Sequence, residues 1–112
     1  MKLIIAGGRD YKPTAGDVDL LDMLNKRFKI TEVVSGGASG ADAFGERWAE
    51  ENGIKVEPFP ADWSFHGRKA GPLRNTKMAA YADAVVLFPG GTGTADMRRQ
   101  AKAFNLRIID LS

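Results

Sequence analysis

Three short glycine-rich stretches hold most of the residues able to do chemistry. They are Gly7-Gly8-Arg9-Asp10, Ser35-Gly36-Gly37-Ala38-Ser39-Gly40-Ala41-Asp42 and Pro89-Gly90-Gly91-Thr92-Gly93-Thr94. Each follows a run of apolar residues that reads as a buried strand. A glycine-rich turn between strand and helix exposes backbone N–H groups, and no Cβ atom blocks a phosphate from reaching them. The helix that begins there adds the positive end of its dipole. One such turn is weak evidence; three together point to an anion site.

In the third stretch, the N–H groups of residues 90–94 and the hydroxyls of Thr92 and Thr94 are set to hold a phosphate. No lysine follows the glycines, which excludes a Walker A loop, and the spacing does not fit the full dinucleotide fingerprint. In the second stretch, Ser39 is the expected helix N-cap, which leaves Ser35 for the ligand. Asp42 falls in the first helical turn. There it serves either as a helix-start charge favoured by the dipole or as a contact to a ribose hydroxyl or ligand amine. Arg9 and Asp10 read either as an ordinary surface pair or, from their place after the first strand, as ligand contacts, with Arg9 a phosphate fork and Asp10 orienting it or hydrogen-bonding a sugar.

Further along, residues 66–77 hold Arg68, Lys69, Arg74 and Lys77 and no acid. Solvation explains most such clusters. Arg74 and Asn75 stand apart, because Pro72 opens a helix and places them in its first turn. A guanidinium there reaches an anion, and an amide reads a base or sugar. His66 has no orienting partner in the sequence and reads as a loop histidine. Trp63 and Phe65 have faces able to stack on a nucleobase, but aromatics in a long loop more often cover the core. Trp48 is assigned to the core.

The elements that must position these groups alternate regularly. Strands are expected over residues 3–6, 30–35, 54–59, 84–88 and 107–111. Helices are expected from Asp17 to about Phe28, through Ala41, Phe44, Trp48 and Ala49 to an Asn52-Gly53 cap, from Pro72 to Tyr81, and over residues 94–104. Residues 61–71 form a looser segment. Such alternation implies right-handed crossovers and an α/β fold: a single Rossmann-like domain over residues 1–112, with a five-stranded parallel sheet in the order 3-2-1-4-5 and helices on both faces. Ligands bind such sheets beyond the strands' carboxyl ends, where the order reverses. The first and fourth strands are neighbours there, so residues 7–10 and 89–94 face one crevice, with residues 36–40 beside it.

Composition narrows the function further. At 112 residues there is room for one core, and the 44% hydrophobic and 27% charged fractions are those of an ordinary globular domain. A net charge of +2 permits a polyanionic partner but lacks the dense basic stripe of a dedicated nucleic-acid binder. With no cysteine and one histidine, disulfides, thiolate nucleophiles and His/Cys metal sites drop out. The expectation is that no metal or resident cofactor is required. The first apolar run is too short for a signal peptide and no run reaches membrane-spanning length, so the expected location is the cytoplasm.

Taken in order, the motifs Gly7-Gly8-Arg9-Asp10-Tyr11, Ser35-Gly36-Gly37-Ala38-x-Gly40-Ala41-Asp42, Ala70-Gly71-Pro72-x-Arg74-Asn75-x-x-Met78 and Gly90-Gly91-Thr92-Gly93-Thr94 resemble the YspA/YpsA-related branch of the SLOG superfamily. The resemblance spans nearly the whole chain. It implies a Rossmannoid domain that senses or processes a nucleotide-derived ligand of the NAD, ADP-ribose or nucleoside monophosphate class, as sensor, carrier or sequestering protein. Related Lonely Guy phosphoribohydrolases carry Arg-Lys-x-x-Met and then Pro-Gly-Gly-x-Gly-Thr-x-x-Glu. Here Arg74 matches the arginine, Asn75 replaces the lysine, and Met97 stands at the catalytic glutamate.

Cleaving an N-glycosidic bond needs a nearby carboxylate. Asp10, Asp42 and Asp96 are the candidates, although Asp96 on a helix points about 100° away from Met97. Binding is therefore the leading expectation and phosphoribohydrolase chemistry the alternative. Single-stranded DNA binding, known in the related DNA-processing protein A family, comes third. A homodimer or higher homo-oligomer fits a shallow pocket on so small a domain.

Overall fold

Apolar residues in unbroken runs mark strands covered on both faces, and the chain folds accordingly. The structure, a computed structural model, describes residues 1–112. Its elements are β1 (Lys2–Ala6), α1 (Ala15–Phe28), β2 (Glu32–Ser35), α2 (Ala41–Glu51), β3 (Lys55–Pro58), α3 (Trp63–His66), a 3-10 turn (Gly67–Lys69), α4 (Ala70–Tyr81), β4 (Ala84–Leu87), α5 (Thr92–Ala103) and β5 (Arg107–Asp110). Every strand pair is parallel, in the order β3-β2-β1-β4-β5. At the centre, Ile4 is in register with Val34 on one side and Val85 on the other.

Side chains alternate across a strand, so each central strand feeds two cores. On one face Leu3, Ile5, Val33 and Val86 pack with Leu21 and Leu24 of α1 and Phe44 and Trp48 of α2. On the other, Ile4, Val34, Val85 and Leu87 pack with Met78 of α4 and Met97 and Ala101 of α5. Both sides of β1 and β4 are thereby held. The glycine turns at their carboxyl ends project from the centre of the sheet, where both faces are packed.

Several local expectations need correction. Helix α1 begins at Ala15 rather than near Asp17, because Thr14 caps it in a reciprocal box: Thr14 Oγ1 accepts from the Asp17 N–H, and Asp17 accepts from the Thr14 N–H. Helix α5 begins at Thr92 rather than Thr94. The N-cap of α2 is Gly40 rather than Ser39; the Ser39 hydroxyl instead donates to the Arg9 carbonyl.

Residues 61–71 are ordered rather than loose. Asp62 caps α3 by accepting from the Phe65 N–H, and the 3-10 turn runs straight into α4. Pro72 is accordingly the third helical residue rather than the first, which is tolerated because N–H groups of the first turn have no helical acceptor. His66 therefore lies in α3. Trp63 and Phe65 join neither core: they are 51% and 80% exposed.

Candidate functional site

Beyond the carboxyl ends of β1 and β4, the backbone itself ties the three glycine turns together. The Gly8 N–H donates to the Pro89 carbonyl at 2.8 Å, and the Gly8 carbonyl accepts from the Ala41 N–H at 3.2 Å. Gly40 makes that second contact possible. At φ +69° it lies over the Gly8 and Arg9 carbonyls, and a Cβ there would come within 2.5 Å of the Arg9 oxygen. The turns surround an open cleft of about 1250 Å³. All the residues expected at the site line it except Ser35 and Gly40, and Asp96 lines it too.

One wall is a row of free donors. The N–H groups of Gly90, Gly91, Thr92, Gly93 and Thr94 have no acceptor within the chain, and the Thr94 hydroxyl makes no hydrogen bond either. The last three of those N–H groups open α5, where the helix dipole adds positive potential. Arg74, half-buried, lines the same cleft. Its Nη1 donates to the Gly36 carbonyl at 2.7 Å and its Nε to Asn75 Oδ1 at 3.1 Å. Gly36 is a glycine for a visible reason: a Cβ there would lie 2.5 Å from Arg74 Nη1. Burial lowers the Arg74 pKa, against the raising effect of Asp42. The unused guanidinium N–H groups remain available to an anion.

Asp42 lies in the first turn of α2, buried, and accepts from the Ala38 N–H at 3.2 Å. Burial pushes its carboxyl from 3.8 up to about 6, with Glu46 adding to the rise and the Ala38 N–H, Arg74 and Arg9 opposing it. The folded protein thus holds this proton more tightly than the unfolded chain. The stability that proton confers is complete below about pH 4 and is lost as pH rises through 6, a swing on the order of 3 kcal/mol. Asp42→Asn is therefore expected to raise the melting temperature at pH 7.5 and to change it little near pH 3.5. Thermal denaturation of both proteins at the two pH values checks this; an equal difference at both would show that the ionised carboxylate is not under strain.

Several expected contacts look different in three dimensions. Ser35 is fully buried, its hydroxyl donating to Glu46 at 2.5 Å and accepting from the Gly37 N–H at 3.1 Å. It shapes the turn from behind and does not face the cleft. The Asn75 amide is spent within the protein, donating to the Gly93 carbonyl and to Asp96 Oδ2. Asn75 therefore holds the start of α5 against α4 and anchors Arg74; its amide is not left free for a base.

Asp96 faces the cleft despite its helical offset from Met97, but Asn75 and Arg99 hold it. Met97 is only 1% exposed and packs in the α4–α5 core, so no carboxylate occupies that position. Arg9 and Asp10 sit exposed at the rim.

Other lining residues were not among those expected. Tyr11 stacks on Phe88 with ring centroids 5.0 Å apart, and its hydroxyl donates to Asp17 at 2.6 Å, which pushes its pKa up to about 12. Its adjacency to Gly7-Gly8-Arg9-Asp10 was the available signal. Trp63, Arg68 and Arg99 also line the cleft. No group of three or more His, Asp or Glu side chains is arranged to hold a metal ion, and no helix is long and apolar enough to cross a membrane.

The sequence model of the YAcAr family, described as the YspA, cpYpsA-related SLOG family, matches residues 1–66. This chain belongs to that family. Gene 61 protein of Mycobacterium phage D29 is 38% identical to this SLOG domain, over 97% of the chain and 94% of the phage protein. Among solved structures, the X-ray structure of TM1055 superposes with a TM-score of 0.68 at 21% identity, covering 96% of this chain and 71% of that one. At that identity the likeness is one of fold. The YAcAr match ends at His66, so Arg74 and the glycine turn before α5 lie outside it.

Proposed function

We propose that this SLOG domain binds a nucleotide-derived ligand of the NAD, ADP-ribose or nucleoside monophosphate class, with the phosphate held between residues 90–94 and Arg74. The observation that carries this reading is the row of N–H groups from Gly90 to Thr94, unpaired within the chain and lining one cleft together with a half-buried guanidinium. Backbone donors at a helix start together with an arginine fork suit a phosphate dianion. The cleft also holds Asp42, an acceptor suited to ribose hydroxyls. The domain acts as a sensor, carrier or sequestering protein, in keeping with the burial of Met97 where a glycosidase of the related type needs a glutamate.

Thermal-shift screening against AMP, NAD, ADP-ribose and ribose 5-phosphate tests the proposal. A ligand at 100 times its Kd stabilises the fold by about 2.7 kcal/mol, a rise of several degrees for a domain of this size. An unmoved melting temperature across the panel would remove the proposal. A second reading rests on Asp42, whose pKa near 6 suits a proton donor in the cleft. It predicts release of free base from the nucleoside monophosphate, lost in Asp42→Asn. The binding reading predicts none.

A further inference from the structure

Trp63 occupies an unusual place for so large an apolar side chain. It is half exposed, it belongs to neither core, and it lines the cleft. Its position is nonetheless fixed. Asp62 caps α3 by accepting from the Phe65 N–H at 3.1 Å and from the Ser64 hydroxyl at 2.8 Å. The far edge of the indole rests over Gly71, where even a Cβ would stand 3.3 Å from the ring.

Gly71, Arg74, Asn75 and Met78 form one stripe of α4, spaced i, i+3, i+4 and i+7, and all four line the cleft. The indole therefore lies over α4 three residues before Arg74, about 4.5 Å of helix rise between the two Cα positions. Both side chains line one cleft, which lets a sugar bridge a phosphate at Arg74 and a flat group at Trp63.

We infer that Trp63 is the platform on which the base of the bound nucleotide stacks, and so the residue by which the cleft distinguishes a nucleotide from a base-free sugar phosphate. This rests on reading the cleft as a nucleotide site. An indole offers a large face with one polar atom, and any base has a π-face to match it, so the contact selects for the presence of a base more than for its identity. The neighbouring exposed side chains Phe65 and Leu73 do not line the cleft, and the ring of Tyr11, which does, is stacked on Phe88 with its hydroxyl on Asp17, so Trp63 is the lining aromatic with a face unspent.

Calorimetric titration of AMP and of ribose 5-phosphate into wild type, Trp63→Ala and Trp63→Phe tests the inference. Wild type is expected to bind AMP at least tenfold more tightly than ribose 5-phosphate. Trp63→Ala is expected to lose about tenfold or more for AMP and nothing for ribose 5-phosphate, and Trp63→Phe to keep most of the AMP affinity. In wild type, AMP but not ribose 5-phosphate is expected to change the emission of Trp63, against the constant background of buried Trp48.

If both probes bind and Trp63→Ala weakens neither, stacking is wrong while the phosphate site stands. If Trp63→Ala instead converts a dimer to a monomer in sedimentation and leaves AMP affinity intact, the indole serves a second copy of the chain and the inference is overturned. Failure of both probes to bind wild type would remove the nucleotide reading and the stacking with it. A melting curve for each variant keeps loss of folding separate from loss of binding.

Discussion

Arg74→Ala is expected to abolish the ligand-induced rise in melting temperature while leaving the domain folded. The guanidinium is the one cation on the cleft that is both half-buried and held by two hydrogen bonds, to the Gly36 carbonyl and to Asn75. Such a group meets an anion with little rotamer entropy left to lose. Truncating one partner of a desolvated charge pair costs roughly 2–5 kcal/mol, or some 30-fold to several thousand-fold in Kd.

The cost to folding is smaller, about 1–2 kcal/mol for two partly exposed hydrogen bonds, and it is offset because a desolvated charge is removed. Arg74→Lys is expected to restore little, since one ammonium cannot serve Gly36, Asn75 and a phosphate in fixed directions. Calorimetric titration with AMP, alongside circular-dichroism melting, separates the two effects. Unchanged affinity in Arg74→Ala would move the phosphate elsewhere in the cleft.

Gly40→Ala is expected to damage the fold itself, by on the order of 3 kcal/mol or more. Two independent problems coincide there. The backbone is left-handed at φ +69°, and the added methyl would run into the Gly8 and Arg9 carbonyl oxygens, which are main chain and cannot swing aside. Relief requires moving the first and second glycine turns apart, which breaks the Ala41-to-Gly8 hydrogen bond.

Gly53→Ala is the control. Its φ is +66° but nothing lies within 4 Å of the added atom, so only the conformational cost of about 1–2 kcal/mol applies. Urea denaturation of the two variants should give clearly different midpoints. Against a total stability of 5–15 kcal/mol, Gly40→Ala consumes a large share. Equal midpoints would mean that the turns are not locked together at this point.

Much of this architecture is legible from local patterns. Unbroken apolar runs such as Leu3-Ile4-Ile5 and Val85-Val86-Leu87 announce strands covered on both faces, and Asn52-Gly53 announces the end of α2, because period, branching and left-handed backbone are properties of neighbouring residues. Strand order matches the doubly wound arrangement expected of such alternation, and with it comes the edge where the glycine turns meet. Helix starts are less legible. Gly40 rather than Ser39 caps α2 because a carbonyl from a turn some thirty residues earlier occupies the space.

The same division runs through the cleft. By itself the sequence determined a parallel α/β domain with glycine turns at one edge, since each turn is encoded within a few consecutive residues. Tertiary structure alone decided what each polar group is free to do. Ser35 faces Glu46 instead of the ligand, Asn75 is consumed by Gly93 and Asp96, and Arg74 is aimed by a carbonyl 38 residues away. Trp63, which the sequence left between stacking on a base and covering the core, stands open at the cleft. The reason is physical: hydrogen-bond capacity is finite, and which donors remain unspent depends on partners brought together only when the sheet closes.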